Sequence, residues 1–201
     1  QEYLAAVNLG DIPAAFACLH VQQVLCAQRS GEWGVLNLNR LIEQELNKQG
    51  LVDISHDFYI GRPIMLMQND HQHNLFNGDV GIVATDPENQ QLTKVWFVGA
   101  DGELRGLLPS RLPPHETLYA MTIHKSQGSE FNHVHLCIGQ AENGNIQTRG
   151  LSRELLYTGL TRAKINFSLY ASQKAVQSCL QQQCKRGSGL SERLLKMNAI
   201  K

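Results

Sequence analysis

The sequence predicts an α/β fold with a mostly parallel sheet, into which a small β-barrel is inserted. Two observations support this prediction. Helix-like and strand-like segments alternate up to residue 57 and again from residue 116, an order typical of a parallel sheet covered by helices. Between these two parts, short strand-like runs follow one another with tight turns, as in a small barrel. The 201 residues suffice for one domain carrying such an insert.

The first part of the chain, residues 1–57, opens with helix-like sequence that is broken at Gly10 and Asp11. The apolar run at 21–28 then predicts a buried strand. The segment VLNLNRLIEQELNKQG predicts a helix, because Gly50 stands where a glycine commonly follows a helix and the apolar residues share one face. Those apolar residues are Leu38, Leu41, Ile42 and Leu46.

The predicted barrel occupies residues 58–115. Its strand-like runs are FYIGRPIMLMQ, VGIVAT, LTKVWFVG and ELRGLLP, and they are separated by the turn sequences NGD, DPEN and ADG. Gly, Pro, Asn and Asp favour turns because they accept backbone angles or local hydrogen bonds that other residues disfavour. We therefore expect short strands joined by tight loops.

The α/β pattern returns in residues 116–201. LYAMTI and HVHLCI predict two strands, and INFSLYAS predicts a third. Ser152 and Ser172 each stand before a helix-like segment, where a serine hydroxyl can cap the first backbone N–H groups. We expect a helix after each serine and a mostly parallel sheet.

Charge is balanced overall but is unevenly distributed. The sequence has 18 Lys and Arg against 18 Asp and Glu, yet the stretch 149–186 contains Glu154 as its single acid. The basic residues of that stretch are Arg149, Arg153, Arg162, Lys164, Lys174, Lys185 and Arg186. A basic flank favours a nucleic-acid partner, whereas the alternative is a solvated helix face.

Cysteine and histidine patterns predict neither disulfides nor a metal site. The five cysteines are odd in number and form no CxxC pair, which favours a reducing, intracellular compartment. The pairs His71/His73 and His133/His135 have no evident third ligand, so we interpret them as turn or strand surface. No apolar run approaches the roughly 20 residues that span a bilayer.

The segment MTIHKSQGSEF, residues 121–131, is the first candidate site. It leaves the carboxyl end of a predicted parallel strand, where open α/β sheets bind ligands. Gly128 permits close backbone approach, and Glu130 can accept a hydrogen bond from a ribose hydroxyl. Side chains suited to phosphate oxygens are Thr122, His124, Lys125, Ser126 and Gln127. The alternative interpretation is an ordinary polar loop.

Two arginines are further candidates. Arg162 lies at the end of a predicted helix that leads into a strand, and a guanidinium fixed there can neutralise charge on a transferred phosphoryl group. Arg29 follows a strand beside two glycines, at a second edge suited to ligands. The alternative for Arg162 is a surface ion pair, for instance with Glu154.

These segments together resemble a known family. MTIHKSQGSEF and LLYTGLTRAK are similar to motifs V and VI of superfamily 1 helicases. VLCAQRSGEWGVLNLNRLIE resembles the motif IV region of the RecD branch, NLFNGDVGIV resembles the insert of that branch, and KRGSGL resembles its C-terminal end. The resemblance implies a second RecA-like (P-loop NTPase-type) lobe, 2A, formed by 1–57 and 116–201, with an SH3-like barrel, 2B, at 58–115.

The resemblance also implies roles for individual residues. Arg162 would be the catalytic arginine finger, and Arg29 a second contact to the γ-phosphate of ATP. Gly128 and Glu130 would face the nucleotide together with these arginines. The residues that would contact single-stranded DNA are Thr122, His124, Ser126 and Gln127.

The function implied is that of an ATP-dependent 5′→3′ DNA helicase subunit, acting with RecB and RecC in bacterial double-strand break repair, in the cytoplasm.

No GxxxxGK[ST] loop and no Asp-Glu pair occurs, so the Mg²⁺ ligands would lie outside this chain. The first residue is Gln, which favours a piece of a longer protein that is inactive alone. Nor does a nuclease-type carboxylate cluster occur. The alternatives are a non-catalytic module that binds nucleic acid or a partner, and part of another RecD-like or conjugative helicase.

Overall fold

The structure, a computed structural model, describes residues 2–99, 101–139 and 152–182. Within these ranges the chain folds into two sheets, five α-helices and a short 3₁₀ helix at Pro109–Arg111. The helices are α1 Glu2–Asn8, α2 Ile12–Leu19, α3 Val35–Lys48, α4 Arg153–Leu160 and α5 Gln173–Gln181. The predicted break between α1 and α2 is confirmed, since Gly10 has a φ of +73° and Asp11 caps α2 by accepting from Ala14 N at 3.0 Å.

The first sheet has four parallel strands and forms the α/β part of the chain. Its spatial order is β7–β1–β8–β9. The strands are β1 Gln22–Cys26, β7 Ala120–Thr122, β8 Phe131–Ile138 and β9 Ala163–Ala171. The parallel sheet predicted from the alternating pattern is confirmed, and Ser152 and Ser172 cap α4 and α5 as expected.

The second sheet has five antiparallel strands in the order β5–β4–β3–β2–β6. The strands are β2 Pro63–Leu66, β3 Val80–Asp86, β4 Asn89–Val98, β5 Leu104–Leu107 and β6 His115–Thr117. Residues 58–115 thus form short antiparallel strands as predicted, with the addition of β6. In the described part of the chain no ladder joins β5 to β6, and a barrel requires its edge strands to pair. The structure therefore shows an antiparallel sheet, and the SH3-like barrel is not confirmed.

A shared core joins the two sheets. Leu25, Met121 and Leu136 of the parallel sheet pack with Leu155 of α4 and with Met65 from β2. Close contact between α4 and the sheet depends on Gly159, because a Cβ at that position would lie 3.2 Å from the side chain of Leu136. The core thereby fixes α4, and with it the start of β9, against β8.

Helix α3 is tied to the opposite side of the sheet by one buried polar side chain. The Nδ2 of Asn39 donates to Thr117 O at 2.9 Å and to Ala120 O at 3.1 Å, and its Oδ1 accepts from Ala120 N at 2.7 Å. These bonds satisfy backbone groups at the bend between β6 and β7, where no strand partner reaches them. Asn39 therefore sets the position at which β7 enters the sheet.

Candidate nucleotide and nucleic-acid interface

The segment between β7 and β8, residues 123–130, crosses the parallel sheet from the carboxyl ends of the strands to their amino ends. Thr122, the last residue of β7, pairs with Cys26, and Cys26 pairs in turn with Cys137 of β8. Phe131, where β8 begins, lies six residues before Cys137. At about 3.3 Å per residue, the segment therefore spans about 20 Å along the strands. We call the side of the sheet where the parallel strands end the carboxyl edge, and the side where they begin the amino edge.

The first half of this segment is a tight turn with a buried anchor. Ser126 N lies 3.2 Å from Thr122 O, and the Ser126 hydroxyl donates to Ile123 O at 2.8 Å. Ser126 is fully buried, so its hydroxyl stabilises the turn and does not point to a ligand. The turn leaves His124 and Gln127 exposed on its outer side. Among the four predicted DNA contacts, Ser126 is thus placed differently from the expectation.

Three charged side chains meet at the carboxyl edge. Arg29 Nη1 lies 2.9 Å from Glu116 Oε2, and Lys125 Nζ donates to Glu116 Oε1. Lys125 Nζ also lies 2.8 Å from the Sδ of Met67. Arg29 comes from the loop after β1, Glu116 from β6 and Lys125 from the crossing segment. We call Arg29, Glu116 and Lys125 the edge triad.

A second group of contacts lies at the amino edge. Arg162 Nη1 donates to Ser129 O at 3.1 Å, and its Nε donates to Thr158 O at 3.3 Å. Phe131 N donates to Arg162 O at 2.8 Å. These contacts hold the guanidinium beside the end of the crossing segment, where Gly128 adopts a φ of +89° that favours glycine.

Glu130 lies at this amino edge too. Its carboxylate pairs with Lys164 Nζ at 3.4 Å, and both side chains are about half exposed. Both groups are therefore accessible to a ligand. The predicted nucleotide contacts Gly128, Glu130 and Arg162 are brought together by the fold.

Arg29, the other predicted nucleotide contact, pairs with Glu116 and makes no hydrogen bond or ion pair with that group within the described residues. It follows β1 and lies at the carboxyl edge, whereas Arg162 precedes β9 and lies at the amino edge. Their backbones are therefore separated by about 20 Å along the strands, and the γ-phosphate role of Arg29 stays a prediction.

Within the described ranges, no group of three or more His, Cys, Asp or Glu could hold a metal ion. His133 and His135 stack at 4.1 Å and contact Ser168 and Tyr170 of β9. No helix in the described ranges is long and apolar enough to cross a membrane.

Some predicted features fall outside the described residues. They are Arg149, Cys184, Lys185, Arg186 and the C-terminal KRGSGL sequence.

Among the described cysteines, Cys18, Cys26, Cys137 and Cys179 are free thiols. Burial, followed by the neighbouring Cys137, raises the pKa of the Cys26 thiol to about 12. Cys26 is therefore a core residue without nucleophilic character at neutral pH.

Comparison with known proteins defines the class. Residues 117–170, which include the crossing segment, α4 and most of β9, match the UvrD-like helicase C-terminal domain. A crystal structure of Bacteroides Pif1 bound to ssDNA has the same fold, with a TM-score of 0.50 at 17% identity over 89% of this chain and 46% of that one. The fold is that of a helicase C-terminal lobe.

Proteins of similar sequence define the family more closely. RecBCD enzyme subunit RecD of Haemophilus influenzae is 40% identical over 87% of this chain and 25% of its own length. The ATP-dependent RecD2 DNA helicase of Deinococcus radiodurans is 33% identical over 86% of this chain and 23% of its own length. This chain is a homologue of the C-terminal region of RecD, and it spans about a quarter of the length of these two relatives.

Proposed function

We propose that this chain is the second RecA-like lobe of a RecD-type helicase subunit that uses ATP and Mg²⁺ to move 5′→3′ along single-stranded DNA. In that role it would act with RecB and RecC in double-strand break repair, in the bacterial cytoplasm. The observation that carries the proposal is the crossing segment. It joins an edge with exposed His124 and Gln127 to an edge where Arg162 and Glu130 lie close together.

The geometry supports one ligand at each edge. At the carboxyl edge, Thr122, His124 and Gln127 would bind the DNA strand. At the amino edge, Arg162 and Gly128 would face the triphosphate of ATP, and Glu130 would accept from its ribose. A rigid segment that touches both ligands couples them, because a change at one end alters the position of the other.

Arg162 would act as the arginine finger at the amino edge. Its planar guanidinium can donate to two oxygens of the transferred phosphoryl group, whose negative charge is spread over its equatorial oxygens in the transition state. The bond to Ser129 O holds the side chain ready at the surface of the lobe. The Mg²⁺ ligands and the attacking water would be held by residues outside this chain.

A binding titration with variants at the two edges tests the assignment. The probe is labelled oligo(dT), followed by fluorescence anisotropy at several salt concentrations. His124→Ala should weaken binding, and Arg162→Ala should leave it unchanged, because Arg162 lies at the other edge. Binding should fall steeply with salt, since phosphate contacts dominate.

The opposite results would refute the assignment. Equal binding by His124→Ala and wild type at every salt concentration would remove the crossing segment from the DNA site. A loss of DNA binding in Arg162→Ala, with an unchanged circular dichroism spectrum, would place the strand at the amino edge. No binding by the wild-type chain would contradict the DNA-binding role of this lobe.

A further inference from the structure

The outer strand of the parallel sheet, β9, is long for a strand in that position. Within the described ranges it pairs with β8 on one side and with no strand on the other. It has nine residues, whereas the other outer strands of the two sheets, β7, β5 and β6, have three, four and three. An outer strand presents unpaired backbone N–H and C=O groups, which makes it a template for another strand. We call the side of β9 that faces away from β8 its open side.

The features that usually protect an open side are weak in β9. Natural proteins place prolines, charged side chains or bulges there. β9 contains no proline and one charged residue, Lys164, near its start. The ladder to β8 is irregular between Phe131 and His133, beside that start. From Asn166 to Ala171 the register is continuous, so this part of β9 is a regular open strand about 20 Å long.

Exposed apolar side chains lie on both faces of the sheet at β9. Leu169 pairs with Leu136 on the face that α4 covers, yet Leu169 is 40% exposed. Tyr170 lies on the other face, where its ring centroid is 5.9 Å from that of His135, and it is 46% exposed. Ile165, nearer the start of the strand, is 71% exposed. A strand added beside β9 would bury apolar surface on both faces, so its own sequence should be apolar on both faces.

The charges around β9 are positive. Residues 155–182 contain no Asp or Glu, but they contain Arg162, Lys164 and Lys174. Lys164 pairs with Glu130 and is still about half exposed. Lys174 follows the end of β9 by three residues and is exposed. A cation near each end of the strand favours a partner that carries carboxylates at the two ends of its own strand.

We propose that β9 is the docking site of a partner protein subunit, which adds an extended segment as a fifth strand to the four-stranded parallel sheet. This segment is apolar at its centre and acidic at its ends. The inference rests on the proposed function, in which the chain belongs to a subunit that acts with RecB and RecC. Backbone hydrogen bonds to β9 supply affinity, and the apolar and acidic side chains supply specificity.

A protein strand fits the open side of β9 better than a nucleic acid does. The open side offers backbone donors and acceptors at the spacing of a β-strand, and the exposed side chains beside them are mostly apolar. A nucleic-acid strand binds through several cations along its phosphates, whereas Lys164 is the one cation within β9. The chemistry of this side therefore matches a polypeptide.

The first test measures the affinity of the complete helicase subunit for immobilised RecB and RecC by biolayer interferometry. Ile165→Lys and Leu169→Lys should each weaken binding by about tenfold or more, because each places a cation among apolar contacts at the centre of an interface. Lys174→Glu should weaken binding several-fold, and more at low salt. Val98→Lys makes the same kind of change at an apolar residue of β4 that is 47% exposed. It is the matched control and should bind like wild type.

Hydrogen exchange on the wild-type subunit tests strand addition directly. In the free subunit, the amides of residues 166–171 that point to the open side should exchange fast, because they have no strand partner. Binding to RecB and RecC should slow these amides. The amides of β5, the outer strand Leu104–Leu107 of the other sheet, should exchange at the same rate in both states. Binding that leaves residues 166–171 unprotected would overturn the proposal.

A photo-cross-linking amino acid at position 165 identifies the occupant. Mass spectrometry of the assembled complex should find it joined to a segment of RecB or RecC that is apolar at its centre and acidic at its ends. Cross-links to residues 183–201 of the same chain, to a second copy of the chain or to DNA would each overturn the proposal.

The variants separate this inference from the proposed function. Equal binding of wild type, Ile165→Lys, Leu169→Lys and Lys174→Glu would overturn the inference and leave the proposed helicase role intact. DNA-stimulated ATPase of the complete Leu169→Lys subunit should match wild type, and its loss from a folded protein would assign β9 to the motor instead. If a lysine variant does not fold by circular dichroism, Lys174→Glu and the exchange measurement still decide. A wild-type subunit that does not bind RecB and RecC would overturn the inference together with the partner role.

Discussion

Arg29 and Arg162 stand at opposite edges of the parallel sheet, about 20 Å apart along the strands. Each arginine contacts either the crossing segment itself or a residue that contacts this segment. Arg29 meets Glu116, which also binds Lys125 of the segment, and Arg162 donates to Ser129 at the other end. The two arginines are therefore linked, directly or through Glu116, to the two ends of one segment.

The chain alone is expected not to hydrolyse ATP. The sequence contains no Gly-Lys pair and no Asp-Glu pair, so the usual residues that hold Mg²⁺ and the β-phosphate are missing from it. Under the proposed function, the amino edge would supply only one wall of a nucleotide cleft. A coupled ATPase assay with and without single-stranded DNA measures this. Turnover that persists through repeated purification and is lost in Arg162→Ala would show that the chain holds a complete site.

Asn39→Ala should destabilise the fold by about 2–4 kcal/mol. The substitution leaves Thr117 O and both backbone groups of Ala120 without the partner that they have in the folded chain, and buried unpaired groups are costly. Urea unfolding followed by circular dichroism measures the change. Gln44→Ala, on the exposed side of the same helix, should stay within about 0.5 kcal/mol of wild type. Equal stability of the two variants would show that the bend between β6 and β7 does not need Asn39.

Asp86 should make the stability of the antiparallel sheet sensitive to acid. The hydrogen bond from Lys94, at 2.7 Å, is the main cause that lowers the pKa of this carboxyl group. Because the folded pKa is lowered, the stabilising contribution is complete above the ordinary carboxyl value of about 4. It is lost as the pH falls through the lowered folded pKa.

Asp86→Asn is the variant that tests this pH dependence. The free energy of unfolding of wild type should fall more steeply below pH 4 than that of the variant. Urea unfolding at neutral pH and at several acid values measures both curves. Glu88→Gln changes the charge of an exposed side chain in the same hairpin and should follow wild type. Parallel curves for wild type and Asp86→Asn would remove Asp86 as a source of acid sensitivity.

The sequence was sufficient to predict the parallel sheet, the α1–α2 break and both serine caps, because each depends on local residue pattern. It did not predict β6, since three residues carry no periodicity. Nor did it indicate that Asn39 faces inward or that Ser126 is buried, because both side chains are polar. Asn39 bonds to backbone groups that are distant in sequence, and Ser126 bonds to a carbonyl within its own turn. Local pattern gives the elements, whereas tertiary contacts decide which polar residues remain available to a ligand.

The positions of Arg29 and Arg162 follow from topology. Arg29 comes after β1 and Arg162 precedes β9, so their backbones lie toward opposite ends of the parallel strands. The sequence motifs predict a γ-phosphate role for both residues, and strand position alone does not decide it, because the long side chain of arginine extends well beyond its backbone.

Arg162→Ala in the complete helicase subunit should abolish most turnover. The guanidinium would meet the γ-phosphate when the two lobes close, and removing an arginine finger typically costs about 10³-fold or more in rate. Nucleotide binding in the ground state should suffer less. Arg162→Lys should rescue poorly, because a point charge does not reproduce the planar donor geometry.

A structural role for Arg162 makes the opposite prediction. The side chain bonds to Thr158 O and Ser129 O, so its loss would then lower the melting temperature while turnover per folded molecule stayed near normal. Melting temperature, nucleotide affinity and DNA-stimulated ATPase should be measured on the same preparation, with Arg153→Ala at the far end of α4 as the charge-matched control. The arginine finger is supported if Arg162→Ala loses turnover at an unshifted melting temperature while Arg153→Ala keeps its turnover. The bonds to backbone carbonyls would then contribute orientation rather than stability. Normal turnover from a destabilised protein would refute it.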